Sequence, residues 1–178
     1  MIQPIGKTRQ AEVIRHSLDY LRLAEDVFER RFEDPLIEFD LSGACAGMFK
    51  QRGKTTWIRY NPWIFAKYPE DSLANTVPHE VAHYVVHQVF GHLGVKPHGR
   101  EWQLLMEAFD AEPRVTGRYD LEGIPQRRHQ RFEYSCECEE AHQLSTRRHN
   151  AIQAGKSRYL CRVCHSELAL ATSAAHPE

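Results

Sequence analysis

The sequence predicts an α+β protein in two parts, a larger metal-carrying head and a small cysteine-rich tail. Three observations lead there. A helical periodicity over residues 8–31 gives way to short β-rich runs. A histidine pair spaced i, i+4 lies in an apolar helical stretch. Four of the five cysteines fall late in the chain. At 178 residues the chain can bury a core, and its length suits one main domain with a small appendage.

In order along the chain, Val13, Ile14, Leu18, Leu21, Ala24, Val27 and Phe28 recur at spacings of three and four with charges between them, which predicts a packing helix. Pro35 ends that segment, and Leu36, Ile37 and Phe39 begin a short strand. The small residues from Gly43 to Lys50 lead to a hairpin turn at Gln51-Arg52-Gly53-Lys54. Thr55 to Tyr60 then alternates as a strand until Asn61-Pro62 stops it. The head therefore reads as helix, small three-stranded sheet, metal helix and second helix. Cys45 is expected to be a small buried residue and no nucleophile.

The metal helix carries His79-Glu80-Val81-Ala82-His83. Two histidines at i, i+4 project from one helix face, one turn apart, so both can reach one ion. The glutamate beside the first can take a proton from a water held there. Imidazoles supply neutral ligands, and zinc lowers the pKa of a bound water from about 16 to about 7. By itself the pattern also fits an amphipathic helix with two histidines on its polar face. Val77, Val81, Val85, Val86 and Val89 make this segment apolar, and a Glu-His-His cluster in a core helix is costly unless it binds something. Asp71 or Ser72 is the expected cap, with Pro78, which a first turn tolerates, accommodated by local adjustment or by the helix beginning later.

A catalytic zinc wants a third protein ligand, and His87, His92 and His98 are the candidates. With His87 included, three histidines spread over about 12 Å of helix, too far for bonds of about 2 Å to one ion. His92 lies in the connection and stays open on geometry. His98 is favoured, because it sits where a turn hands over to a new helix (Glu101 to Phe109) and can swing back onto the first. Glu101 is a solvated helix charge or an orienter of a histidine.

Residues 113–131 hold Pro113, Gly117, Gly123 and Pro125 and end in a basic run, which predicts a linker. Residues 132–170 resemble a zinc ribbon, with strands expected at Phe132–Cys136 and Arg158–Cys164; residues 171–178 read as a flexible tail. Without an export signal, the four late cysteines read as metal ligands and not as disulfides. Two ligand sets are open: Cys136, Cys138, Cys161 and Cys164, or a set in which His142 replaces one early cysteine, with His149 a weaker substitute. Such a site would supply the folding energy that so small a segment lacks.

Lys+Arg 23 against Asp+Glu 24 gives a net charge of −1, which argues against a strongly basic nucleic-acid binder overall. Locally, Arg127, Arg128, Arg131, Arg147 and Arg148 interleave with Phe132, Tyr134 and Tyr159, a pattern suited to DNA or RNA and equally to a solvated connector and a small core. No apolar run approaches the roughly 20 residues of a membrane span, and residues 1–10 lack a signal-peptide core. The expected compartment is the cytoplasm.

Taken together, several motifs in one order resemble the SprT family of zinc metallopeptidases and, more distantly, the protease domain of Spartan, which acts on DNA–protein crosslinks. They are His79-Glu80-x-x-His83, Pro97-His98-Gly99-x-Glu101-Trp102, Ala46-Gly47, Arg59-Tyr60-Asn61-Pro62, and in the tail Cys136-x-Cys138, His142-x-Leu144-x-x-Arg147-Arg148-His149-Asn150 and Tyr159-x-Cys161-x-x-Cys164. The resemblance implies a zincin-like metallopeptidase domain over residues 1–112. It makes His79, His83 and His98 the ligands of a catalytic zinc and Glu80 the catalytic residue; the ribbon reading of the tail adds a second, structural zinc. The implied substrate is a protein, with DNA or DNA-bound proteins as partners and no membrane. The competing reading is a nucleic-acid-binding or regulatory protein whose metal sites are purely structural.

Overall fold

A computed structural model describes residues 2–115, 117–126, 130–138 and 140–171, with the side chain of His92 also outside the description. The chain forms two compact units, Met1–Arg127 and Arg128–Glu178. It is a mixed α+β protein with two small three-stranded sheets. Among the described residues no helix is long and apolar enough to cross a membrane.

In the first unit, α1 (Lys7–Phe28) turns Val13, Leu21 and Ala24 inward. Strands β1 (Leu36–Glu38), β2 (Gly47–Arg52) and β3 (Thr55–Tyr60) form a sheet in the order β1-β3-β2. β2 and β3 pair antiparallel around a turn at Gly53, whose φ of 61° suits glycine. β1 pairs parallel with β3, Leu36 opposite Trp57. β2 is thus an edge strand, with outward backbone groups available to other elements.

The Asn61-Pro62 stop is also a start. Asn61 Oδ1 accepts from the amides of Trp63 and Ile64 and caps α2 (Pro62–Lys67), with proline in the first turn where its missing N–H costs nothing. Its Nδ2 donates to the carbonyls of Gly43 and Cys45, both at 3.0 Å, so one fully buried asparagine pins the segment before β2. Cys45 is exposed there, against the expectation of burial, because it lies in irregular chain and not in the sheet.

The metal helix does not begin at an Asp71 or Ser72 cap. The short turn α3 (Pro69–Asp71) runs through one π-helical turn (Ser72–Thr76) into α4 (Val77–Phe90). Pro78 cannot donate to the carbonyl four residues back, and a locally widened turn accommodates it. α4 packs between α1 and the sheet, burying Val77, Val81, Val85 and Tyr84 with Ile58, Tyr60 and Trp102. α5 (Arg100–Ala108) closes the core with Trp102, Leu105 and Met106.

The expected linker is not free chain over its described part. Lys67 Nζ donates to Asp120 Oδ2 at 2.7 Å and to the carbonyls of Asp120 and Glu122 at 3.0 and 2.9 Å. The Gly43 amide donates to the Pro125 carbonyl at 3.0 Å. The prolines and glycines that suggested a connector instead shape a segment folded onto the first unit.

In the second unit, β4 (Arg131–Ser135) lies between β5 (His142–Ser145) and β6 (Ala169–Leu170), both antiparallel to it. The expected strand over residues 158–164 is a turn that makes one bridge, Leu160 to Glu167. The partner of β4 comes from residues 142–145, followed by α6 (Thr146–Gln153). The core is small: Tyr134, Leu144, Cys161 and Leu168. The expected tail falls almost wholly outside the described residues.

Candidate metal and active site

His79 and His83 lie one turn apart on α4, and the turn before α5 brings His98 onto them. The three Nε2 atoms form a triangle of 3.1, 3.0 and 3.2 Å. Three nitrogens about 2.0–2.1 Å from one tetrahedral ion would stand roughly 3.3 Å apart, so this donor set fits a metal ion within a few tenths of an ångström. His87 is not in the group; its ring lies 5.3 Å from that of Phe49. His92 is outside the description. Burial, followed by the neighbouring imidazoles, lowers His79 to about 4 and His83 to about 3, and burial lowers His98 as well. The histidines therefore stay neutral near pH 7, the form that binds metal.

Two features around the triangle escaped sequence reading. Trp102, fully buried, stacks on His83 at 5.7 Å and 26° and meets His79 and His98 edge-on, each at 4.8 Å. Its indole N–H donates to the His79 carbonyl at 3.3 Å. The carbonyl of Arg114 lies 3.1 Å from His79 Nδ1, which fixes the tautomer that leaves Nε2 free for an ion. The spacing Pro-His-Gly-x-Glu-Trp hinted at the indole, but no side-chain pattern can reveal a backbone acceptor.

Glu80 is 6% exposed. The outward N–H of Phe49, on the edge strand, donates to its Oε2 at 2.6 Å. Burial pushes the carboxyl up to about 8, against the pull of that N–H. A cation among the imidazoles would draw it down again. Gly47 makes the approach feasible, since a Cβ there would stand 2.6 Å from Glu80 Cγ and 2.8 Å from its Oε1. His79 and Glu80 both line a cleft of about 200 Å³, together with Cys45, Gly47, Arg114, Val115 and Tyr119. Burial, the largest cause, raises Tyr119 to about 12, so its phenol stays protonated and donates to Asp71.

In the second unit Cys136, Cys138, Cys161 and Cys164 bring their sulfurs within 4.8 Å of one another. Cys136 and Cys138 are 3.1 Å apart and Cys138 and Cys161 are 3.7 Å apart, against roughly 3.8 Å for four thiolates around zinc. The amide of Val163 donates to Cys161 Sγ, and hydrogen bonds from Ser166 hold Cys164 below the usual thiol range, to about 6. His142 Nε2 lies 3.4 Å from Cys136 Sγ, and His142 also groups with Glu140 and Cys161. Among the described residues the four sulfurs therefore gather as one set, whereas His142 does not gather with three of the cysteines. His149 is occupied elsewhere, stacked on Phe132 at 3.6 Å with its Nδ1 3.0 Å from the Tyr134 hydroxyl.

Of the expected nucleic-acid residues, Arg127 and Arg128 lie outside the described residues. Arg131 is exposed on β4, and Arg147 and Arg148 are exposed at the start of α6. Tyr134 is fully buried and serves the core, so it offers no face to a base.

Comparison with known proteins gives the chain its relatives. Residues 18–123 match the SprT-like family. The protein SprT of Pasteurella multocida is 38% identical over 161 residues, covering 89% of this chain and 92% of its own. That of Shewanella oneidensis is 36% identical over 163 residues, covering 91% and 99%. That of Pseudomonas syringae pv. tomato is 38% identical over 147 residues, covering 82% and 85%. No solved structure matches. With the head matched to the family and the likeness running nearly end to end, the chain belongs to the SprT family.

Proposed function

We propose that the chain is a zincin-like, zinc-dependent metallopeptidase, with a catalytic zinc held by His79, His83 and His98 and a structural zinc held by the ribbon cysteines. The observation that carries this reading is the convergence of three imidazole nitrogens beside a buried carboxylate, with His79 and Glu80 both on the wall of one cleft. A site that only stabilised the fold would be closed, with no cleft at its ligands.

A zinc ion at the three histidines would supply Lewis acidity toward a scissile carbonyl and toward water. Glu80 removes a proton from the attacking water as the water oxygen bonds to the carbonyl carbon. When the C–N bond breaks, Glu80 returns that proton to the leaving amine. The Phe49 amide holds Oε2, which leaves Oε1 as the oxygen that carries the proton. Trp102 and the Arg114 carbonyl keep the imidazoles oriented.

Chelation should abolish cleavage of an unfolded protein substrate, and added zinc should restore it. Cleavage that survives complete metal removal would overturn the reading. For substrates we propose proteins associated with DNA in the cytoplasm, supported by the exposed Arg131, Arg147 and Arg148 and by the resemblance to Spartan. A DNA-bound protein cleaved no faster than the same protein free would remove that part of the proposal.

A further inference from the structure

The Arg114 carbonyl that orients His79 belongs to irregular chain, residues 112–115 and 117–126, and such chain opens readily unless tied down. Upstream, the Ala111 amide donates to the Met106 carbonyl at 3.0 Å and the Arg114 amide to the Glu112 carbonyl at 2.7 Å. Downstream, Tyr119 takes over. Its hydroxyl donates to Asp71 Oδ2 at 2.7 Å and lies 3.2 Å from Thr76 Oγ1. Its ring packs on Tyr68 with centroids 5.0 Å apart. Asp71 precedes the π turn that leads into α4 and Thr76 ends it, three residues before His79. The Lys67 ammonium then gathers Asp120 and Glu122.

We propose that Tyr119 is a positioning residue of the metal centre: it latches the chain that carries Arg114 onto the start of α4, so that the Arg114 carbonyl holds the His79 ring in its ligating orientation. The inference rests on reading His79 as a metal ligand. The latch joins the acceptor to the helix that carries the ligand, so movement of one is passed to the other. Loss of the phenol hydroxyl leaves the ring on Tyr68 and Asp71 in place but frees Arg114 from its downstream anchor. The His79 Nδ1–H then loses its fixed partner, and the ring can rotate away from the triangle. Arg114, Val115 and Tyr119 line the cleft, so the latch also sets the width available to a substrate.

The test uses the full chain and zinc alone. Zinc affinity is measured by competition with a chromogenic chelator, and the head site is the component lost in His83→Ala. Tyr119→Phe should weaken that site roughly tenfold, the lower end of what such supporting partners contribute. Lys67→Met, which releases the irregular chain from another point, should act in the same direction. In nitrogen-edited NMR, the His79 Nδ1 proton should be protected from exchange in the parent chain and exposed in Tyr119→Phe. Unfolding curves identify folded variants, in which a purely stabilising role would leave zinc affinity unchanged. If the parent binds zinc at the head and both folded variants stay within twofold of it, the latch is wrong and the metal centre stands. If the parent's head binds no zinc, the metal centre and the latch fall together.

Discussion

Glu80→Gln should lower peptide hydrolysis by about 10²- to 10⁴-fold, the range a positioned general base contributes, while the head keeps its zinc. Glutamine preserves the side chain's length and its carbonyl can still accept from the Phe49 amide. The three imidazoles, which lie on other positions, are left untouched. What the substitution removes is the capacity to take a proton from water and return it to the amine. The variant should therefore separate chemistry from metal binding: kcat falls while zinc content is unchanged. Unchanged hydrolysis in Glu80→Gln would assign the proton transfers elsewhere and refute the mechanism. Gly47 works on the same carboxylate from outside, since any side chain there must displace Glu80 or Thr76.

The second large effect is expected in the tail. The core of the second unit consists of Tyr134, Leu144, Cys161 and Leu168, too little apolar surface to offset the ordering of its chain. Structural zinc supplies about 10–16 kcal/mol in zinc-finger peptides near neutral pH. Removing the ion should unfold residues 130–171 and leave the first unit folded. Amide exchange read by mass spectrometry separates the two: protection of β4 and β5 should vanish on chelation, while that of α1 persists. The three tryptophans, Trp57, Trp63 and Trp102, all lie in the first unit, so their fluorescence reports on the head alone. A second unit that stays protected without metal would show that its small core suffices.

Helix geometry made much of the candidate site legible. The spacing of His79 and His83 fixes their common face whatever surrounds them, and the turn before Trp102 has the reach to bring His98 to it. The cysteine pairs were legible for a similar reason, because short loops bring their ends together at little cost. Other features depended on information that side-chain patterns do not carry. The acceptor for His79 and the donor for Glu80 are backbone atoms, of Arg114 and Phe49. Residues 113–126 carry the prolines and glycines of a linker, yet Lys67, Asp71 and Gly43 tie Tyr119, Asp120 and Pro125 down from positions far away in sequence. The partner of β4 was misplaced for another reason. Arg158 to Cys164 is as β-prone as a strand, but its cysteines must form a turn for their sulfurs to meet those of Cys136 and Cys138. One missed element did have a signal: Asn61-Pro62 is a cap followed by a first-turn proline, so the same pair that ends β3 begins α2.

The most direct test of the central claim is the zinc content per chain, measured on the parent and on His83→Ala. The account predicts two zinc ions falling to one, with the remaining ion retained by the thiolates of the second unit. A count that does not change on replacing His83 would mean that the three imidazoles hold no ion, and the metallopeptidase reading would fall with them.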